Sequence, residues 1–207
     1  MKSSTILFAI LAVSAALLAA PFASADAQRG TLVHEETIRV SPSADSARLG
    51  EAGRGHELVI LESSREWVKV EAILAAPSRD EAATEEEQMG KTITGWVLAK
   101  ALVSTTTQDG DRIIFGEAAD AEDQASSRRG RRDAAQDAMR LYYRIYDLMP
   151  TSPLAAEGLY RAADIRWQIE RADVMSRASA HARENYVRGQ MEEEWMRLVM
   201  KKYPGTK

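Results

Sequence analysis

Cysteine is absent from all 207 residues. That excludes a disulfide framework, a thiolate metal site and a cysteine nucleophile. It also excludes a lipid anchor of the bacterial lipoprotein type, which needs a Cys just after the signal sequence. Histidine is scarce, with three residues, His34, His56 and His181, and none has the spacing of an H-E-x-x-H metal motif. No P-loop, dinucleotide fingerprint or G-x-S-x-G elbow occurs. Strong positive charge is missing too. Lys+Arg number 27 against 31 Asp+Glu. Residues 28–110 hold 9 basic against 14 acidic residues, and residues 111–207 hold 17 against 16. Neither half has the basic excess that a phosphate backbone demands, so nucleic acid is not an expected partner.

The one long apolar run lies at the start. Ile6 to Ala20 is 15 residues long, follows a single Lys, and leads into Pro21 and the small residues Ala23-Ser24-Ala25. A membrane-spanning helix needs about 20 apolar residues. The segment 1–25 therefore reads as a cleaved secretory signal peptide. A periplasmic or secreted protein with no stable membrane span is expected.

Two textures follow. Residues 30–104 carry short β-branched or apolar runs at Thr31–Val33, Thr37–Val40, His56–Leu61 and Trp67–Ile73. "SPSADS", "GEAGRG" and "ESSRE" separate them and are rich in turn-forming residues. Trp67 to Glu71 alternates strictly, with Val68 and Val70 on one side and Trp67, Lys69 and Glu71 on the other. Five short strands in this length predict a small barrel. Residues 105–112 form a polar linker, and the remainder, 113–207, is built from helix formers. Ala138, Tyr142, Ile145 and Met149 make one helical stripe, stopped by Pro150. Thr151-Ser152-Pro153 restarts a helix with a hydroxyl cap. In that helix Ala156, Tyr160, Ala163 and Trp167 form one apolar stripe, and Ala155, Leu159, Ala162, Ile165 and Ile169 a second. Apolar on two sides, it is expected to be sandwiched between neighbours. Met191, Trp195 and Leu198 mark a last helix that ends before Pro204. The fold class read from these patterns is α+β in two domains, a small all-β barrel followed by an all-α helical array.

"TIRVSPSADSARLGEAGRGHELVILESSREWVKV" followed by Gly95-Trp96-Val97 resembles the bacterial SH3-like (SH3b) domain, the cell-envelope relative of the Src-homology-3 barrel. The resemblance covers about residues 30–104. It makes Trp67-Val68 and Trp96-Val97 parts of successive strands, with residues 74–91 as an acidic insertion in the hairpin between them. By default such an insertion is a solvated excursion. Peptide-binding relatives line a shallow groove with several aromatics. Trp67 and Trp96 stand at two of those positions, whereas Val33, Leu98 and Ala101 stand at others, so the proline-binding groove is mostly unbuilt. The resemblance leaves two roles open for the tryptophans, barrel packing or a platform for cell-wall peptide, glycan or a partner segment.

"AMRLYYRIYDLMPTSPLAAEGLYRAADIRWQ" is similar to tetratricopeptide-type (TPR-like) repeats. The interval from Pro150 to Pro204 exceeds the ~34 residues of a regular repeat, which predicts longer helices over 153–202. The chain stops at "YPGTK", where the next repeat helix would begin. An array that is incomplete, or finished by a partner, is expected. Such arrays bind through concave faces, and Tyr143, Arg144, Tyr146 and Arg161 are the candidate residues for that face.

The acidic clusters "ATEEEQ" and "MEEEW" put consecutive carboxylates in different directions and read as solvated charge. The arginines of 128–132 read as a solvated turn around Gly130. No catalytic residue, cofactor or metal site is expected. The pattern predicts a non-catalytic envelope scaffold that binds protein or peptidoglycan. The alternative is a targeting fragment of a cell-wall hydrolase whose catalytic domain lies outside this chain.

Overall fold

The computed structural model describes residues 28–74, 90–127, 130–131, 133–177, 191 and 193–205. The expected signal peptide and nearly all of the acidic insertion lie outside the described residues, as do Arg128, Arg129 and Arg132 of the arginine-rich turn.

Residues 29–104 fold into one antiparallel sheet of seven strands. These are β1 (Arg29–Leu32), β2 (Glu36–Arg39), β3 (Arg48–Ala52), β4 (Glu57–Ser63), β5 (Trp67–Leu74), β6 (Lys91–Leu98) and β7 (Leu102–Ser104), with a 3₁₀ turn at Ala99–Ala101 before the last. Their order across the sheet is β3-β2-β6-β5-β4-β1-β7. The five expected strands become seven. β3 falls where the sequence reads as turn, because "RLGEA" buries only Ala52 and shows no alternating apolar signal. β5 and β6 pair from Trp67↔Leu98 to Leu74↔Lys91, so the two Trp-Val pairs do belong to adjacent strands of one hairpin. The barrel core comprises Leu32, Ile38, Ala52, Leu58, Val68, Val70, Ala72, Val97 and Ala101. Each fully buried Leu or Ile there contributes about 1.5–3 kcal/mol relative to exposure.

The chain then forms helices, of which four are described: α1 (Gly110–Ser126), α2 (Ala134–Leu148), α3 (Ala155–Arg177) and α4 (Glu194–Lys202). α1 starts inside the segment expected to be linker. The predicted stripe on α2 is inward, with Ala138, Tyr142 and Ile145 fully buried. Before α3 the Ser152 hydroxyl accepts a hydrogen bond from the Leu154 amide at 3.0 Å, as the capping pattern requires. The two stripes of α3 do not fare alike. Ala155, Leu159 and Ala162 are buried, but Tyr160 of the other stripe is 50% exposed, so α3 is not sandwiched along its whole length by described residues.

Barrel and helices share a core. Val33 and Val103 pack with Ile114, Ala118, Leu141, Tyr142 and Ile145 rather than with the barrel interior. Polar links reinforce this seam. Arg144 of α2 donates to Glu57 (2.9 Å), to the Gly55 carbonyl (3.0 Å) and to Asp147 (2.8 Å), while Arg29 of β1 pairs with both Glu57 and Asp147. Arg54 and His34 approach Glu117 of α1 at 3.4 and 3.5 Å.

Candidate functional site

Alternation along β5 turns Val68, Val70 and Ala72 into the barrel and Trp67, Lys69, Glu71 and Ile73 out of it. The antiparallel register sets Trp67 opposite Leu98 and Lys69 opposite Trp96. The two tryptophans are thus diagonal neighbours on one outer face, within reach of a single ligand. Both are half-buried, and neither belongs to either hydrophobic core. Any packing these tryptophans contribute is therefore on the outer surface of the barrel and not in its interior. On the far side of β6, Arg39 of β2 lies opposite Trp96. One cross-strand row therefore reads Arg39, Trp96, Lys69, an indole between two cations. Gly95 permits this arrangement, since a Cβ there would lie 2.6 Å from the Arg39 carbonyl oxygen.

The groove positions expected from the family are filled differently. Val33 and Ala101 are buried, and Val33 packs into the helical core. Of these positions Val33 alone packs against helices, while Ala101 belongs to the barrel core and Leu98 is half-buried.

A cleft of about 420 Å³ opens where the outer face of β4 and β5 meets α2. Glu57, Val59, Glu71 and Ile73 line one wall, Arg140 and Arg144 the other, and Gly55-His56 closes the end. Gly55 has φ +72° and sits so close that a Cβ would lie 2.5 Å from the Arg140 Cβ. Only glycine accepts that backbone without strain. Burial pushes the His56 pKa down, with the nearby positive charges of Arg144 and Arg140 adding to the effect.

The four helical candidates do not form one face. Tyr143 stacks on Trp195 of α4 at 4.5 Å and meets Tyr146 edge-on at 6.0 Å, and Tyr146 meets Tyr203 at 6.3 Å. Trp195 is further covered by the Arg166 guanidinium at 4.6 Å. Arg144 is held in the barrel seam. Arg161 lies elsewhere, between Glu157 (2.7 Å) and Glu122 (3.0 Å) and over the rings of Phe115 and Tyr142. Those carboxylates raise its pKa further, and burial beside Glu122 raises that of Tyr142. His56, Glu71 and Arg140, which line the cleft, carried no sequence signal, because strand β4 and helix α2 meet only in the folded chain.

No helix among the described residues is long and apolar enough to cross a membrane. No curated protein and no solved structure matches the chain. Residues 37–103 match the family model of the bacterial SH3 domain, the span that runs from β2 into β7 and contains both tryptophans.

Proposed function

We propose that this chain is a non-catalytic binding protein of the bacterial cell envelope, and that the Trp67/Trp96 face of its barrel binds peptidoglycan. Bacterial SH3 domains serve cell-wall or protein binding and are typical of extracytoplasmic proteins, and the matched span includes this face. The observation that carries the reading is the row Arg39, Trp96, Lys69 with Trp67 diagonal to it. Indole faces stack on sugar rings and on apolar peptide segments, and the flanking cations suit the carboxylates of cell-wall stem peptides. The signal-like first 25 residues agree with this compartment. The TPR-like helices act as the scaffold part, joined rigidly to the barrel through the shared core. The second reading is a targeting fragment of a cell-wall hydrolase whose catalytic domain lies outside this chain; it makes the same binding prediction, and a hydrolase domain encoded in the same open reading frame would favour it.

The test is co-sedimentation with purified sacculi. The purified chain is expected to bind, and the double variant Trp67→Ala/Trp96→Ala to lose at least about tenfold in affinity, since stacking is worth ~1 kcal/mol or more per ring. Equal binding by the double variant would remove this face from the site. Muropeptide release by this polypeptide alone would defeat the non-catalytic assignment.

A further inference from the structure

The cleft between barrel and α2 is chemically unlike the tryptophan face, and its groups are not all spent on holding the fold. Glu57 and Arg144 are, because they pair with each other across the seam while Glu57 also pairs with Arg29 and Arg144 with Asp147. Glu71 and Arg140 are not. Glu71 points outward from β5 and makes no hydrogen bond or ion pair among the described residues. Arg140 uses Nη2 on Asp137 at 3.1 Å, and its Nε and Nη1 have no partner among the described residues. A lone carboxylate and a guanidinium with open donors therefore line one cleft, together with the apolar side chains of Val59 and Ile73. Ile73, next to the last residue of β5, is 61% exposed, which leaves a large apolar side chain open at the cleft. His56 also lines the cleft, and burial together with the charges of Arg144 and Arg140 pushes its pKa down.

We infer that this cleft is a second binding site, for a short peptide with both ends free, its carboxylate on Arg140, its ammonium on Glu71 and its side chains against Ile73 and Val59. A volume of about 420 Å³ falls within the range of small-ligand sites, roughly 300–1,000 Å³. The walls stay at a fixed separation because Gly55 packs directly on Arg140 and Arg144 clamps Gly55 and Glu57. Preorganisation of this kind limits the ordering cost of binding. The site is independent of the tryptophan face, so either can fail alone.

The experiment is a titration of the isotope-labelled chain with alanyl-alanine, read by amide chemical shifts. Saturable shifts at Gly55, His56, Glu71 and Ile73 are expected, with Kd about 1 mM, as suits two half-exposed ionic contacts. N-acetylation and C-amidation of the dipeptide are each expected to weaken binding about tenfold, the worth of one charge-assisted hydrogen bond. Glu71→Gln should reproduce the effect of the first modification and Arg140→Gln that of the second, while Arg140→Lys retains most of the affinity. Thermal midpoints of these variants, compared with the parent, show that the fold is intact. Equal binding of the doubly blocked dipeptide, shifts confined to Trp67 and Trp96, or no saturable shift would each overturn the inference.

Discussion

The tryptophans of β5 and β6 and the tyrosines of α2 are both pairs of half-buried aromatics, yet they end in opposite states. Trp67 and Trp96 meet no other aromatic ring among the described residues and keep an outer face of the barrel. Tyr143 and Tyr146 are covered by Trp195 and Tyr203 from the last described helix and its end. Tyr143 and Tyr146 thus spend part of their ring surface on aromatic contacts within the chain, whereas Trp67 and Trp96 spend none on another ring among the described residues. The difference follows from what each element must do. A barrel closes around its own interior and can leave its outer face unmatched, whereas a helical stack gains stability only by laying each face on a neighbour.

The sharpest way to break this contrast is to ask whether the two regions are separate at all. Leu141 is fully buried in the core that α1, α2 and α3 share with Val33 and Val103 of the barrel. Leu141→Ala is expected to cost about 2–5 kcal/mol. Because the barrel contributes to that core, barrel and helices should lose structure in one transition. Denaturation followed by tryptophan fluorescence in a Trp167→Phe/Trp195→Phe background, where only the barrel tryptophans remain, and by helical circular dichroism checks this, and a barrel transition left at its original midpoint would show two independent units.

The next effect is smaller and sits on the aromatic pairs themselves. Trp195→Ala removes the stack on Tyr143 and the Arg166 contact, and should cost about 2 kcal/mol from lost stacking and burial. Trp67→Ala, on the open face, should cost less than half as much. Equal losses in thermal or chemical denaturation would mean that Trp67 also serves packing, and the contrast would collapse.

How far the sequence foretold these states depends on the range of the interactions involved. The alternation of Trp67 to Glu71 displays the inward and outward sides of β5 directly, and the capping serine before α3 is equally local. The identity of the tryptophan face needed only the register of one hairpin. Strand β3 was hidden because an edge strand that buries a single alanine has no apolar pattern to show. The ion pairs of Arg144 and Arg161 are not legible in the sequence, because an arginine on a helix looks the same whether its carboxylate partner is four residues away or 87, as Glu57 is. The cleft was illegible for the same reason. Its walls come from β4, β5 and α2, and nothing in any one of them announces the others.

The smallest expected effect probes the seam through pH. His56 sits at the closed end of the cleft, where burial disfavours its charged form and Arg144 and Arg140 repel it, against the opposing influence of Glu57 and the Ile73 carbonyl. Its folded pKa lies below the unfolded value of about 6.5. The unfolded chain therefore binds a proton first as pH falls. The stabilisation from keeping His56 neutral is complete above about pH 6.5 and is lost as pH drops through that value toward the lower folded one. His56→Gln removes the titrating group while keeping a polar side chain at that position. The stability gap between parent and variant should be constant from about pH 7 to 8 and shift in favour of the variant between about pH 6.5 and 5. Subtracting the variant cancels the other titrating groups common to both. A gap independent of pH across this window would mean that the cleft does not feel the two arginines, and that the charge arrangement assigned to its wall is wrong. The barrel's tryptophan face, which has no histidine in it, should show no such pH signature in sacculus binding by the same variant.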